Sequence, residues 1–443
     1  MFLVPLQKKP FSGVKIFPAV HVIAAFFAGV LAAVVLMGCH RQEARPSGAI
    51  VQRAYLWQRE WTPAVVDAVT QADREMDGVV ILGAEIQWEG ATPQTIRAAI
   101  PWDVLKRAGK PCAIALRIAP FAGPFASDDG PIRAIADVAK SLLAEAKAHD
   151  VNLNEFQLDF DCAQKKLAGY RIWLGALHPV LGPVPLVITT LPAWLDEPEF
   201  EALIREGDGY VLQVHSVPTE KERGRAVLCD PDLARKWVAK AAKLGRTFSV
   251  ALPTYSCLAG YDPTGKLIGV SMDSVQPAWP AGTRVLELSA NAGDLAGLVE
   301  EWQATRPRGM RELLWYRLPV ATDARNWHWP TLAAVAAGRK PAHQAQAVLE
   351  GENPVDLAIA NSGEAEELLD CTVTVTWNGA ELVVADALPG WTVQAEKGRA
   401  IFLPEPGYRL RLSPGGKRGI GWLRYDRVAI LRCELSGRND ARH

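Results

Sequence analysis

Between residues 51 and 338, short apolar runs alternate with stretches whose apolar residues recur at helical spacing. The strand-like runs are 53–61, 78–88, 112–119, 155–161, 185–191, 209–215, 247–255 and 311–318. Helical patterns follow most of them, at 63–75, 132–149, 166–177, 199–206 and 232–244. This rhythm predicts βα units on a parallel sheet, class α/β. Eight strands in that order favour a (β/α)8 TIM-like barrel, with a doubly wound sheet as the competing architecture. A further strand-like run at 283–290 pairs with 267–272 as a predicted hairpin inserted after the seventh strand.

Within the strands, the period of two sorts side chains between the two faces. In the fourth run Phe156, Leu158 and Phe160 face the helices, while Gln157, Asp159 and Asp161 face the barrel axis. The third run sends Ile114, Leu116 and Ile118 outward and Ala113, Ala115 and Arg117 inward. The sixth sends Tyr210, Leu212 and Val214 outward and Val211, Gln213 and His215 inward, and the second places Glu85 and Gln87 inward near its end. In all four the inward polar residues gather at the C-terminal end of the strand, where barrel enzymes hold their sites.

From Pro341 the helical pattern stops. Alternating runs at 355–360, 371–377, 382–385, 399–403 and 408–412 are separated by turn signals such as Asn378-Gly379 and Pro414-Gly415-Gly416. A small C-terminal β-sandwich over 341–443 is predicted, as a brace for the barrel or as a glycan binder.

The N-terminus has another character. Lys8, Lys9 and Lys15 precede an apolar stretch over 16–37, followed by Leu36-Met37-Gly38-Cys39. That order of basic, apolar and cysteine-bearing segments matches a lipoprotein signal over 1–39, cut before Cys39, whose thiol carries the lipid. An uncleaved anchor is the alternative, since the stretch matches the ~20 apolar residues that span a bilayer. A polar tether follows over 40–50. The expected location is the cell envelope, with the protein held in the outer membrane and facing the periplasm. Six further cysteines are free to oxidise there; connectivity stays open among about 15 pairings, with Cys371–Cys433 and Cys229–Cys257 as candidate pairs and Cys112 and Cys162 left single. The 48 basic and 49 acidic residues nearly cancel, and no polybasic run stands out, so nucleic acid is not an expected partner.

Four motifs together resemble one bacterial family. They are Tyr55-Leu-Trp57-Gln-Arg59-Glu-Trp61-Thr-Pro63; Gln157-Leu-Asp159-Phe-Asp161-Cys162 with Lys166-Leu-Ala-Gly-Tyr170; Thr189-Thr-Leu-Pro192-Ala-Trp194-Leu; and Gly209-Tyr-Val-Leu-Gln213-Val-His215. The family is domain of unknown function 3142, and the resemblance extends over about residues 51 to 330. It implies a barrel related to glycoside hydrolases and brings no established activity. The fourth run also resembles the D-x-x-D-x-D-x-E strand of family 18 chitinases. Asn154, Gln157, Asp159 and Asp161 stand at the same spacing. Two acids are replaced by amides, and the final acid is one methylene shorter; in the other register Asp159 and Asp161 match the paired aspartates, and Ala163, which cannot act, stands at the glutamate position.

Glycosidic cleavage needs a protonated acid beside the leaving oxygen, and a nucleophile from the protein, water or the substrate. Inward residues at i and i+2 on one strand lie ~6–7 Å apart, close enough for one carboxylate to raise the pKa of the other. Asp161 is therefore the candidate acid, Asp159 its partner, and Glu85 the second carboxylate from across the barrel. Arg117, Gln213, His215 and Tyr255 are candidates for substrate binding, and Trp315 for a sugar-stacking floor with Arg317 beside it. Competing structural roles are an ion pair of Asp159 with Arg117 and a strand-end hydrogen bond for His215. Trp57, Trp61 and Trp88 read as packing, whereas Trp315, Trp327 and Trp329 flank the expected mouth. No zinc spacing, P-loop, dinucleotide fingerprint or G-x-S-x-G elbow is present, so neither metal nor cofactor is expected. The reading that follows is an envelope hydrolase of a polysaccharide or peptidoglycan fragment; the alternative is a non-catalytic glycan-binding or structural lipoprotein.

Overall fold

The computed structural model describes residues 49–90, 92–217, 227–272 and 277–439. The leader, Cys39 and most of the tether lie outside the described residues. Among those described, no helix is long and apolar enough to cross a membrane.

The chain runs through β1 (Val51–Leu56), β2 (Gly78–Glu89), β3 (Thr92–Arg97), β4 (Cys112–Ile118), β5 (Leu153–Phe160), β6 (Leu186–Thr190), β7 (Gly209–Gln213) and β8 (Phe248–Pro253). An insertion, β9 (Ser256–Tyr261), β10 (Leu267–Ser271) and β11 (Arg284–Ser289), precedes β12 (Met310–Tyr316). The order β1-β12-β8-β7-β6-β5-β4-β2, all parallel and closed by β1 against β2, is an eight-stranded TIM barrel. The competing doubly wound sheet is excluded by that closure.

Helices between the strands cover the outer face. Pro63–Glu75 starts with proline at its first turn and turns Val65, Ala68, Val69 and Ala72 inward, the i, i+3, i+4, i+7 stripe of a half-buried helix. Asp129 and Asp230 cap Gly130–Ala148 and Pro231–Lys243 by accepting backbone N–H groups of the first turn. Helices Leu167–Leu181, Pro198–Glu206, Trp102–Ala108, Ala292–Ala304 and Trp329–Ala336 complete the ring; Trp102–Ala108 and Trp329–Ala336 are too short to announce an amphipathic face.

The insertion corrects the expected hairpin. β10 and β11 do not pair with each other; both pair antiparallel with β9, which forms the middle of a three-stranded sheet. β3, also unforeseen, folds back antiparallel on the protruding end of β2.

The barrel interior is layered. At the bottom, Arg53 Nη2 and Nε bind Glu312, Nη2 also reaches Glu155 at 3.2 Å, and Ser249 donates to Glu312 at 2.8 Å. Above them Gln157 donates to Glu155 and accepts from Tyr55 Oη at 2.6 Å. The middle layer, Tyr55, Val80, Ala113, Ala115, Val187, Val211, Ala251 and Leu314, is apolar and fills the bore. The barrel is thus sealed from below and open only at the C-terminal end of its strands.

β13 (Ala345–Glu350), β14 (Val355–Asn361), β15 (Glu367–Asn378), β16 (Leu382–Ala387), β17 (Trp391–Glu396), β18 (Arg399–Pro404), β19 (Leu410–Leu412), β20 (Lys417–Tyr425) and β21 (Ile430–Asn439) form two antiparallel sheets. Alternate residues of both, including Leu357, Ile359, Val373, Val375, Phe402, Ile420 and Leu423, make one shared core. Glu287 of β11 lies 3.5 Å from Arg411 of β19, tying the insertion to this part of the chain. The candidate disulfides do not form: Cys112, Cys162, Cys229, Cys257, Cys371 and Cys433 are all free. On the adjacent strands β15 and β21, Cys371 is opposite Gly437 and Cys433 opposite Val375, a four-residue offset that no disulfide bridges.

Candidate functional site

The strand ends assemble a charged row. Glu85 of β2 stands opposite Arg117 of β4, and Arg117 opposite Asp159 of β5. Glu85 reaches this face through a switch of parity. Val79 and Ile81 face the helices and Val80 the bore, but after the register shift at Gly83 it is Ala84 and Ile86 that pack against the helices. Gly83 sits against the Leu142 side chain, where a Cβ would come within 2.9 Å. The bulge therefore turns Glu85 inward.

Asp159 accepts a hydrogen bond from Thr189 Oγ1 at 2.7 Å. Burial pushes its carboxyl up to about 6, and the charge of Asp161 adds to the rise; the Thr189 hydrogen bond and Arg117 pull it down. Asp161 lies one residue past β5, on the rim. The residue as a whole is exposed, yet crowding around its carboxyl group lifts it above the usual carboxylate range, against the pull of Arg117. The two aspartates are thus a coupled pair, both carboxyls raised above the range of an isolated aspartate. The alternative ion pair of Asp159 with Arg117 does not close: among the described residues neither makes a salt bridge, and Arg117 acts on Asp159 through its field.

Glu85, the expected second carboxylate, is held in an ion pair. Arg59, just beyond β1, grips it with Nε at 3.1 Å and Nη2 at 2.7 Å. This two-point pairing holds both carboxylate oxygens.

Aromatic side chains wall the mouth. Tyr55, Trp57 and Tyr316 meet edge to face, with ring centroids 5.5–5.7 Å apart. His215 stacks on Tyr316 at 6.0 Å, and Tyr255 meets both His215 and Tyr316. Burial lowers His215 to about 4, although its Nδ1 lies 3.4 Å from the Ala251 carbonyl. Its imidazole is therefore neutral at physiological pH and serves as wall rather than as cation. Gln213 ends β7 on the same face, half-buried, beside Ala251.

Two expected site residues are elsewhere. Trp315 does not line the mouth: it is fully buried against the helices, packs on Trp327 and donates Nε1–H to Gln52. In β12 it is Leu314 and Tyr316 that face the bore. Arg317 follows the end of β12, where its guanidinium pairs with Asp323 at 2.5 Å and its backbone binds Thr254. Its charge is therefore already matched. Cys39 lies outside the described residues. Tyr55, Arg59 and Thr189, named only as motif residues, join the site, as does Trp57, which was read as packing; Tyr316 joins it without having been named. Strand parity, applied to β1, β6 and β12 as it was to β5, would have found Tyr55, Thr189 and Tyr316.

An open cleft of about 480 Å³ adjoins the charged row, lined by Arg59, Glu85, Gln87, Trp88 and Arg117 and by the start of the loop after β4. Among the described residues, no three His, Cys, Asp or Glu side chains converge to hold a metal ion.

Residues 108–321 match the family model described as "Domain of unknown function (DUF3142)", as the motif resemblance implied. Among curated proteins none matches this sequence. Among solved structures, the spore cortex-lytic enzyme SleL of Bacillus cereus is 11% identical, with a TM-score of 0.46 over 67% of this chain and 76% of that one. A chitinase of Chromobacterium violaceum is 14% identical, with a TM-score of 0.44 over 66% of this chain and 98% of that one.

Proposed function

We propose that the mouth of the barrel binds a glycan and hydrolyses a glycosidic bond, with Asp161 as the acid. The observation that carries this reading is the Asp159–Asp161 pair, two carboxyls raised by burial at the rim of an aromatic-walled mouth. Asp161 passes its proton to the leaving oxygen as the C–O bond breaks. Asp159, held by Thr189, takes up the remaining charge of the pair. With Glu85 engaged by Arg59, the attack on the anomeric carbon falls to a group of the substrate itself. Water then opens the resulting intermediate and returns a proton to Asp161. The edge-to-face rings of Tyr316, Trp57 and Tyr255 suit the apolar faces of sugars.

The N-terminal pattern supports a place for this chemistry in the cell envelope, on a chain tethered through lipid at Cys39. The substrate there is a surface polysaccharide or a peptidoglycan fragment. Incubation of the protein and its Asp161→Asn twin with such glycans, scored by released reducing ends, tests the reading. Release by the parent alone supports it. Absence of release from both, with glycan binding retained, replaces it with a binding protein. The bidentate engagement of Glu85 is the observation that favours that second reading.

A further inference from the structure

We infer that the cleft between β2 and β4 is an anion-accepting subsite, and that the glycan it takes carries a carboxylate on the sugar lying beside the cleaved bond. The inference rests on the glycan reading above and names the substrate class of the same site.

The cleft is lined by two arginines against one glutamate. Glu85 is already neutralised by Arg59, which uses Nε and Nη2 for the pairing and leaves Nη1 unengaged. Half of the Arg59 side chain stays exposed (49%). The remaining guanidinium, Arg117, is half-buried and closes no hydrogen bond or ion pair among the described residues. A half-buried guanidinium that lines the cleft and makes no direct hydrogen bond or ion pair is suited to a planar two-oxygen acceptor. Asp159 does not supply that acceptor, because its Oδ1 is held by Thr189 on the far side of the row.

The surroundings fit a sugar ring bearing that group. Trp88 lines the cleft with its Nε1 tied to the Ala119 carbonyl at 3.1 Å and its ring against Phe121 at 4.6 Å, so the indole is fixed in place. Gln87, exposed beside it, offers an amide to ring hydroxyls. Arg117 is also the residue whose charge bears on Asp159 and Asp161. A carboxylate docked on it therefore lies next to the acid pair, and the acidic sugar occupies a position adjoining the bond that Asp161 protonates. Two kinds of sugar present this group: a uronic acid, with the carboxylate on the ring, and a sugar with a lactyl ether, with the carboxylate on a side arm.

The test uses the full-length chain in detergent, made catalytically silent by Asp161→Asn, and calorimetric binding of paired ligands. One pair is a uronic-acid oligosaccharide and its carboxyl-reduced twin. The other is a peptide-free peptidoglycan strand bearing lactyl carboxylates and its reduced twin. At least one acidic ligand binds about tenfold tighter than its twin, equivalent to ~1.4 kcal/mol, and added salt narrows the gap. The tighter pair identifies ring or side-arm carboxylate. Arg117→Gln erases the preference and Arg117→Lys restores part of it, with unchanged melting temperatures showing that both fold. Equal binding of acidic and reduced twins overturns the inference. The outcomes separate from those of the hydrolytic reading: acid-selective binding without hydrolysis by the parent keeps the subsite and discards the enzyme. Hydrolysis of reduced and acidic glycans at equal kcat/KM keeps the enzyme and discards the subsite.

Discussion

Thr189 Oγ1 lies 2.7 Å from Asp159 Oδ1, joining the ends of β6 and β5 inside the mouth. A hydroxyl that donates to a carboxylate favours its ionised form, so this contact opposes the burial and the Asp161 charge that hold Asp159 near 6. In the proposed mechanism the pair must keep one proton, and activity declines as pH rises through the loss of that proton. Thr189→Val removes the donor and raises the carboxyl further. The alkaline limb of kcat/KM against pH moves to higher pH; an unmoved or downward-shifted limb contradicts the arrangement.

The same burial has a stability consequence. An acid whose folded pKa is raised, here from 3.8 to about 6, contributes stability that is present below the unfolded value and lost as pH rises through the folded one. Asp159→Asn keeps an oxygen for Thr189 and never ionises. Chemical denaturation at pH 8 therefore finds the variant more stable than the parent, by on the order of 2 kcal/mol. At pH 3.5 the two are nearly equal.

The two carboxylates on opposite sides of Arg117 have different environments and predict different losses. Asp161→Asn removes the proton donor and lowers kcat by about 10²–10⁴. Glu85→Gln removes an ion pair with Arg59 and lowers kcat by much less. Turnover measured side by side on one glycan decides this, and equal losses would make Glu85 a participant in the chemistry.

Adjacent aromatics in β12 separate packing from recognition. Trp315→Ala opens a cavity in the helix-facing core and costs about 3–5 kcal/mol of stability. Tyr316→Ala, on the mouth side, weakens glycan binding roughly tenfold, the ~1.4 kcal/mol of one lost aromatic contact. A urea melt and a binding isotherm on each variant distinguish the two.

The barrel floor is the remaining test. Arg53 is buried between Glu155 and Glu312, and Arg53→Met leaves two carboxylates without a counter-charge. A loss of about 3–5 kcal/mol in chemical denaturation is expected, whereas the double change of Arg53 and Glu312 to apolar residues recovers part of it.

Much of this protein is determined by its sequence alone. Alternation of period two and helical spacing are local properties, and they place the eight barrel strands, most of their helices and the inward direction of Asp159, Asp161, Arg117 and Gln213. The motifs around Tyr55, Asp159, Thr189 and Gln213 likewise announce the family match. Tertiary structure decides what depends on meetings between distant residues. The inward Glu85 expected from the sequence is reached through a bulge at Gly83, fitted to Leu142, and only the fold brings Arg59 to pair with it. Trp315 and Tyr316 are neighbours in sequence; strand parity puts them on opposite faces, and the pairing of β12 with β1 and β8 decides which face meets the helices and which the mouth. The Arg53–Glu155–Glu312 floor joins residues more than 100 positions apart. Such pairings depend on chain closure in three dimensions, which no local pattern encodes.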